Sequence, residues 1–279
     1  MSNLPFWTRE RVSRGVVRLS NANERRFDCF RPVSSVGMTV VRHAASRMHA
    51  LARHALPQSC ALCAAPARDA LVCCACAAAM PRIELPCAQC ALPSGTGGRC
   101  GECLTHVPPF ERALAAFAYA FPVNRLLHRL KYAGALALAD WAATAWLDRF
   151  AGEVAHGARP DLVLAIPLTA TRQRERGFNQ AQEIARRIAR ALAIPTAGHL
   201  ERVRDTAAQA ALPWSVRKTN LRDAFRCTSA VAGKSCALVD DVMTTGATVR
   251  EAARALRRAG ATSVSVWVIA RTLKPEQAS

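Results

Sequence analysis

Residues 236–248 read CALVDDVMTTGAT. The run Cys236, Ala237, Leu238, Val239 has the length and apolar character of a buried strand. It stops on two adjacent carboxylates, Asp240 and Asp241, which repel each other and which an ordinary surface turn does not need. Threonines around Gly246 follow at once. From residue 247 to 259 Val249, Ala252, Ala253 and Leu256 then recur on one helical face, with Gly260 as the stop signal. Strand, polar turn and helix in direct succession are the unit of a parallel α/β sheet.

The flanking sequence repeats the unit. DLVLAI (161–166) is a second buried strand, and a helix is predicted from Asn179 to about Ile194. Asn179 is suited to cap it and Gln182 stands where a capping box needs it, while Pro195 ends it. Its apolar face is Ala181, Ala185, Ile188 and Leu192. TSVSVWVIA (262–270) closes the pattern. Upstream, ALAAFAYAF (113–121) is a strand, and 122–150 gives one or two helices carrying Leu126, Leu127, Leu130, Leu136, Leu138 and Trp141. A Gly, Ala and Pro linker is predicted at 151–160. Alternation of strand and helix predicts a parallel sheet with helices on both faces, and Trp141, Trp146 and Trp267 are assigned to its core.

In an open parallel sheet ligands sit at the carboxyl ends of the strands, where Asp240 and Asp241 emerge. The turn Thr244–Thr248 leads into a helix N-terminus, whose free N–H groups and positive dipole end suit a phosphate. Gly246 permits close approach, and the threonine hydroxyls add donors. Carboxylates that accept from hydroxyls, next to a phosphate cradle, match the groups of a ribose 5-phosphate. An acidic helix-capping turn is the structural alternative.

Eight of the twelve cysteines form four C-x-x-C pairs: Cys60/Cys63, Cys73/Cys76, Cys87/Cys90 and Cys100/Cys103. The last two pairs repeat the first two at an offset of 27 residues (60 to 87, 73 to 100), which marks a tandem repeat. Two C-x-x-C turns can complete a tetrahedral zinc site. One Cys₄ site per repeat is expected, with first-to-third and second-to-fourth pairing as the other arrangement. A closed site does no chemistry, so the module stabilises a small fold or presents a surface. Cys29, Cys74, Cys227 and Cys236 are assigned no metal role.

Length and charge bound the rest. The 279 residues suit a medium domain with a small module, and the sequence offers neither a membrane span nor a secretory leader, so a cytoplasmic location is expected. The net charge of +18 is spread along the chain, with ten arginines against three acids in residues 1–56. That balance suits a polyanion. Arginine outnumbers lysine 34 to 4 with abundant alanine, which a GC-rich genome also produces. Residues 1–56 are read as a basic, largely disordered extension, with a start at or after Met38 as an expectation, and 57–107 as the double zinc-ribbon module.

VDDVMTTGAT resembles the phosphoribosyl pyrophosphate signature of the type I phosphoribosyltransferases. RERGFNQAQEIAR (174–186) and RVRDTAAQAALPWSVRKTNLRDAF (202–225) are similar to the ComF family of competence proteins. So is the order of cysteine module, Leu130-Lys131-Tyr132 segment and phosphoribosyltransferase core. The resemblance spans roughly 57–271 and implies a type I phosphoribosyltransferase-like, Rossmann-like domain over 108–279.

It also implies roles. Asp240 and Asp241 are the expected catalytic pair, holding ribose hydroxyls and, directly or through water, magnesium. Thr244, Thr245, Gly246, Ala247 and Thr248 hold the 5-phosphate. Pro167, Leu168 and Thr169 form the pyrophosphate turn, with Arg176 and Gly177 behind it. Arg204, Thr206 and Gln209 belong to a loop that closes over substrate, and Lys131 and Tyr132 are within reach of the cleft. Three functions follow as expectations: uptake or processing of single-stranded DNA in natural transformation, phosphoribosyl transfer to an unidentified acceptor, or a scaffold whose zinc module docks a helicase. Trp214 is the main candidate for base stacking in the basic segments.

Overall fold

The computed structural model describes residues 58–68, 70–157, 159–196, 198–203 and 223–274. The extension 1–56 with Met38, and Arg204, Thr206, Gln209 and Trp214, lie outside these residues. The chain divides into two compact units, Met1–Met80 and Pro81–Ser279. The first cysteine repeat belongs to the smaller unit, and the second shares the larger one with the parallel sheet.

In the smaller unit β1 (Gln58–Ser59) pairs antiparallel with β2 (Pro66–Arg68), and a short helix α1 (Cys74–Ala78) follows. The larger unit opens with the second cysteine repeat, which contains α2 (Gly101–Thr105). It continues through β3 (Arg112–Ala118), α3 (Val123–Tyr132), α4 (Ala137–His156), β4 (Leu162–Ala165), α5 (Ala170–Arg176) and α6 (Gln180–Ala191). An antiparallel pair, β5 (Leu200–Arg202) and β6 (Phe225–Cys227), precedes β7 (Ser235–Met243), α7 (Ala247–Arg258) and β8 (Ser263–Arg271).

The sheet has the order β3-β8-β7-β4, and every neighbouring pair is parallel. Side chains alternate between its faces. On one face Cys236 and Leu238 of β7 and Val264, Val266 and Val268 of β8 share a core with Val249, Ala252, Ala253 and Leu256 of α7. On the other, Trp267 of β8 lies against Trp146 of α4 with ring centroids 4.6 Å apart, and Phe117 of β3 stacks on Trp141 at 5.9 Å. All three tryptophans are buried, as the periodicity predicts.

Three segments differ from the sequence expectation. Residues 151–156 are not linker: α4 continues through them, because Phe150 and Val154 keep its inner face buried. The stretch after Thr169, for which the sequence predicts no helix, is helical: Thr169 Oγ1 accepts from Arg172 N at 3.2 Å, and Gly177 closes α5 at φ 73°, a left-handed conformation that favours glycine. Finally β7 does not stop at Val239. It runs on through the acid pair to Met243.

Candidate functional site

The two cysteine repeats fold alike, position for position. Cys60 N donates to Ala65 O and Ala64 N to Cys60 O; 27 residues on, Cys87 N donates to Leu92 O and Ala91 N to Cys87 O. Ala64 and Ala91, each just after the second cysteine of its turn, both sit at φ 59°, where a Cβ is strained. Cys60 Sγ accepts from Leu62 N and Cys73 N, and Cys87 Sγ from Gln89 N and Cys100 N.

Within each repeat the four sulfurs lie within 4.8 Å of one another. Cys63 and Cys73 are 3.7 Å apart and Cys90 and Cys100 are 3.6 Å apart. Four thiolates at about 2.3 Å from one zinc would be separated by about 3.8 Å. The tetrads are therefore Cys60, Cys63, Cys73, Cys76 and Cys87, Cys90, Cys100, Cys103, one per repeat.

Their acidity agrees. Burial raises the Cys60 and Cys87 thiols, but the N–H donors outweigh it and bring each down to about 7. Burial and then neighbouring sulfurs push Cys76 and Cys103 up, and burial holds Cys90 at about 11. Clustered thiols of this kind suit a cation, which takes up the charge of their deprotonated forms. The donor set fits zinc.

The second candidate site forms where β4 ends and β7 runs on past it through the acid pair. Ala165 is level with Val239, and Ile166 N donates to Val239 O at 2.9 Å. The chain that leaves β4 at Ile166 and Pro167 therefore runs beside the acid pair of β7. Beyond β4 the chain passes to Thr196 on the strand's far edge, whereas β7 passes to β8 on the near side. Connections diverging in this way open a crevice at the strand ends.

Strand alternation separates the two acids. Asp241 is 3 % exposed, on the face of Ala237 and Val239, and its Oδ2 lies 2.5 Å from Lys131 Nζ. Asp240 Oδ1 accepts from Asp241 N at 2.9 Å. Burial first, and the charge of Asp241 next, push the Asp240 carboxyl well above the usual carboxylate range despite Lys131. A divalent cation such as magnesium would relieve that charge, and the Asp240 carboxylate offers the hard oxygens it takes, while Asp241 is held by Lys131 on the other face.

The turn behind it presents backbone. Gly246 adopts φ 77°, and an added Cβ there would come 2.7 Å from Met243 Cε. Thr245 Oγ1 accepts from Ala247 N at 3.1 Å, and no side chain caps α7 at Gly246. Thr244 is exposed and Thr245 and Thr248 are half-buried at this helix start, where Thr245 already takes the Ala247 amide.

Across the crevice, Arg176 donates to Gln180 Oε1 at 3.0 Å and to Tyr132 Oη at 3.4 Å, with its guanidinium 5.0 Å from the Tyr132 ring centre. Lys131 and Tyr132, adjacent in α3, thus reach Asp241 and Arg176 respectively. Thr169 is buried in its capping role. Asn179 caps α6 through bonds to Ala181 N and Gln182 N, and its Nδ2 donates to Ile166 O at 2.9 Å. A cleft of about 560 Å³ borders Pro167 and Leu168 and runs along Gln182, Arg186 and Arg202, apart from the acid pair.

Sequence reading missed Arg271. It ends β8 opposite Met243, is 4 % exposed, and its guanidinium donates to the carbonyls of Cys90, Met243, Thr244 and Thr272. The available signal was a lone cation closing a nine-residue apolar strand.

A parallel sheet with an acid pair and an open helix N-terminus at its carboxyl edge defines a protein with a phosphoribosyltransferase-type domain. The phosphoribosyl transferase domain family matches residues 174–279. Among curated proteins, DNA utilization protein YhgH of Escherichia coli O6:H1 is 36 % identical over 221 residues, covering 77 % of this chain and 90 % of that one. Competence protein F of Haemophilus influenzae is 30 % identical over 187 residues, 62 % of this chain and 78 % of its own. Among solved structures, the glutamine phosphoribosylpyrophosphate amidotransferase from B. subtilis is 25 % identical at a TM-score of 0.32, covering 47 % of this chain and 26 % of that one. The chain belongs to the ComF family.

Proposed function

We propose that the crevice between β4 and β7 binds phosphoribosyl pyrophosphate with magnesium, and that the protein uses this site in the uptake or processing of single-stranded DNA during natural transformation. The observation that supports the ligand assignment is the register Ile166 N to Val239 O, which brings the turn 167–169 beside the acid pair. On this reading the amides and hydroxyls of Thr244, Thr245, Gly246, Ala247 and Thr248 take the 5-phosphate, and Asp240 and Asp241 take the ribose hydroxyls. Pro167, Leu168, Thr169 and Arg176 face the pyrophosphate, with Arg204 joining from the segment after β5. Magnesium, held near Asp240 and Asp241, would neutralise charge on the departing pyrophosphate. The chain's own residues orient the sugar and cradle its two charged ends.

The DNA role is supported by the names of the relatives, DNA utilization protein and competence protein, by the basic excess and by the paired cysteine tetrads. The zinc module is its docking surface for single-stranded DNA or for a helicase. No helix among the described residues is long and apolar enough to cross a membrane. A cytoplasmic location is part of the proposal, because the DNA processing it assigns takes place there. A second reading, phosphoribosyl transfer to an unidentified acceptor, is favoured by the acid pair and open turn standing together. The test is incubation with magnesium, phosphoribosyl pyrophosphate and a panel of bases. Ligand binding without pyrophosphate release supports the first reading, release supports the second, and absence of binding rejects both. Oligonucleotide anisotropy across a salt series tests direct DNA contact, which no binding at low salt would exclude.

A further inference from the structure

We infer that Arg271 and the second cysteine tetrad form one brace that shapes the turn from Met243 to Gly246, so that the metal held by Cys87, Cys90, Cys100 and Cys103 governs how that turn receives a phosphate. The inference rests on the reading of the turn as a phosphate cradle.

Arg271 joins the two. Its Nε donates to Cys90 O at 3.0 Å, while its Nη1 donates to Met243 O at 2.9 Å, to Thr244 O, and to Thr272 O at 3.0 Å. A guanidinium buried this far is costly unless its donors are satisfied, and here the acceptors come from the tetrad's own backbone and from the turn. Neither side can shift without stranding donors of the same planar group. A rigid fork transmits position in a way a flexible ammonium does not.

A second link runs along the surface. Glu102 lies on α2 between the ligands Cys100 and Cys103, and it meets Arg250 in the first turn of α7 at 3.6 Å and Lys274 at 3.2 Å. Arg250 N in turn donates to Gly246 O at 2.9 Å. Leu273, two residues past Arg271, packs on the cluster of Cys87, Cys90, Leu92 and Cys103. Groups that hold the surroundings of a metal ligand fix the ligand's position, and the coupling runs in both directions. Without a cation nothing ties the four sulfurs to one centre, the Cys90 carbonyl is free to shift, and Arg271 carries that movement to the Met243 and Thr244 carbonyls. Arg271 is thus a positioning residue.

The experiment uses the full chain with both zincs bound and measures amide exchange by NMR at Arg250 and Thr272, whose N–H groups donate to Gly246 O and Met243 O. Cys100→Ser removes a second-tetrad ligand, Cys73→Ser removes the same position of the first repeat, and Arg271→Lys keeps the charge but not the fork. Cys100→Ser and Arg271→Lys should each speed exchange at both amides at least tenfold, with Arg271→Lys retaining two zincs. Cys73→Ser should lose one zinc and leave both amides protected. Phosphoribosyl pyrophosphate with magnesium should bind at least tenfold more weakly to Cys100→Ser and Arg271→Lys only. Unchanged exchange in Arg271→Lys, or equal acceleration in Cys73→Ser, overturns the brace. Should Cys100→Ser fail to fold, Arg271→Lys decides alone. A wild-type protein that binds no phosphoribosyl pyrophosphate sinks the ligand assignment, and the exchange contrast still judges the brace.

Discussion

Lys131 Nζ lies 2.5 Å from Asp241 Oδ2, bringing the end of α3 against the strand that carries the acid pair. The Asp241 side chain is 5 % exposed, and that of Lys131 is 19 % exposed. Breaking a buried pair leaves an uncompensated charge and costs about 3–5 kcal/mol. Lys131→Met should therefore destabilise the zinc-loaded protein by about 3 kcal/mol in urea unfolding. A loss below about 0.5 kcal/mol would mean the pair behaves as a surface ion pair.

Asp240 gives a pH signature. Its carboxyl is raised in the folded protein by burial and by Asp241. A raised group contributes stability that is fully present below its unfolded pKa of about 3.9 and is lost as pH rises through the folded value. Asp240→Asn removes that loss. The ligand-free variant should match the wild type near pH 4 and exceed it in melting temperature at pH 7. A variant less stable than wild type at pH 7 would contradict this.

Asn179 has two tasks, capping Ala181 and Gln182 with Oδ1 and satisfying the buried Ile166 carbonyl with Nδ2. Asn179→Ala loses a cap and leaves an acceptor unpaired, so about 2 kcal/mol of stability should disappear, read from chemical denaturation. Asn179→Asp, which keeps the cap alone, should lose less.

The strained alanines after the second and sixth paired cysteines offer the opposite sign. At φ 59° a Cβ costs about 1–2 kcal/mol, partly offset by the greater freedom glycine has when unfolded. Ala91→Gly should stabilise the larger unit by about 0.5–1 kcal/mol with both zincs retained. Destabilisation would show that the Ala91 side chain, buried in the core, contributes more by packing than it costs in strain.

Much of this was legible in the sequence because it is local. The strand, acid pair, glycine turn and helix of 236–259 are continuous in the chain, and each cysteine tetrad closes within 17 residues (60 to 76, 87 to 103). The 27-residue offset even reproduces hydrogen bonds and the left-handed alanines. What escaped depends on packing between distant segments. β7 extends through its aspartates because β8 pairs with it as far as Met243, which residue type alone opposes. Arg271 acquires its role from Cys90, 181 positions away, and nothing in WVIAR announces that partner. Lys131 and Tyr132 were within reach on the sequence reading. Their division between Asp241 and Arg176 needed coordinates.

Isothermal titration of the zinc-loaded protein with phosphoribosyl pyrophosphate and magnesium tests the central claim most directly, run beside the Asp240→Asn, Asp241→Asn double variant. The account predicts saturable binding by the wild type, and at least a hundredfold weaker binding by a variant that still holds two zincs. Equal affinity in the two proteins would contradict it.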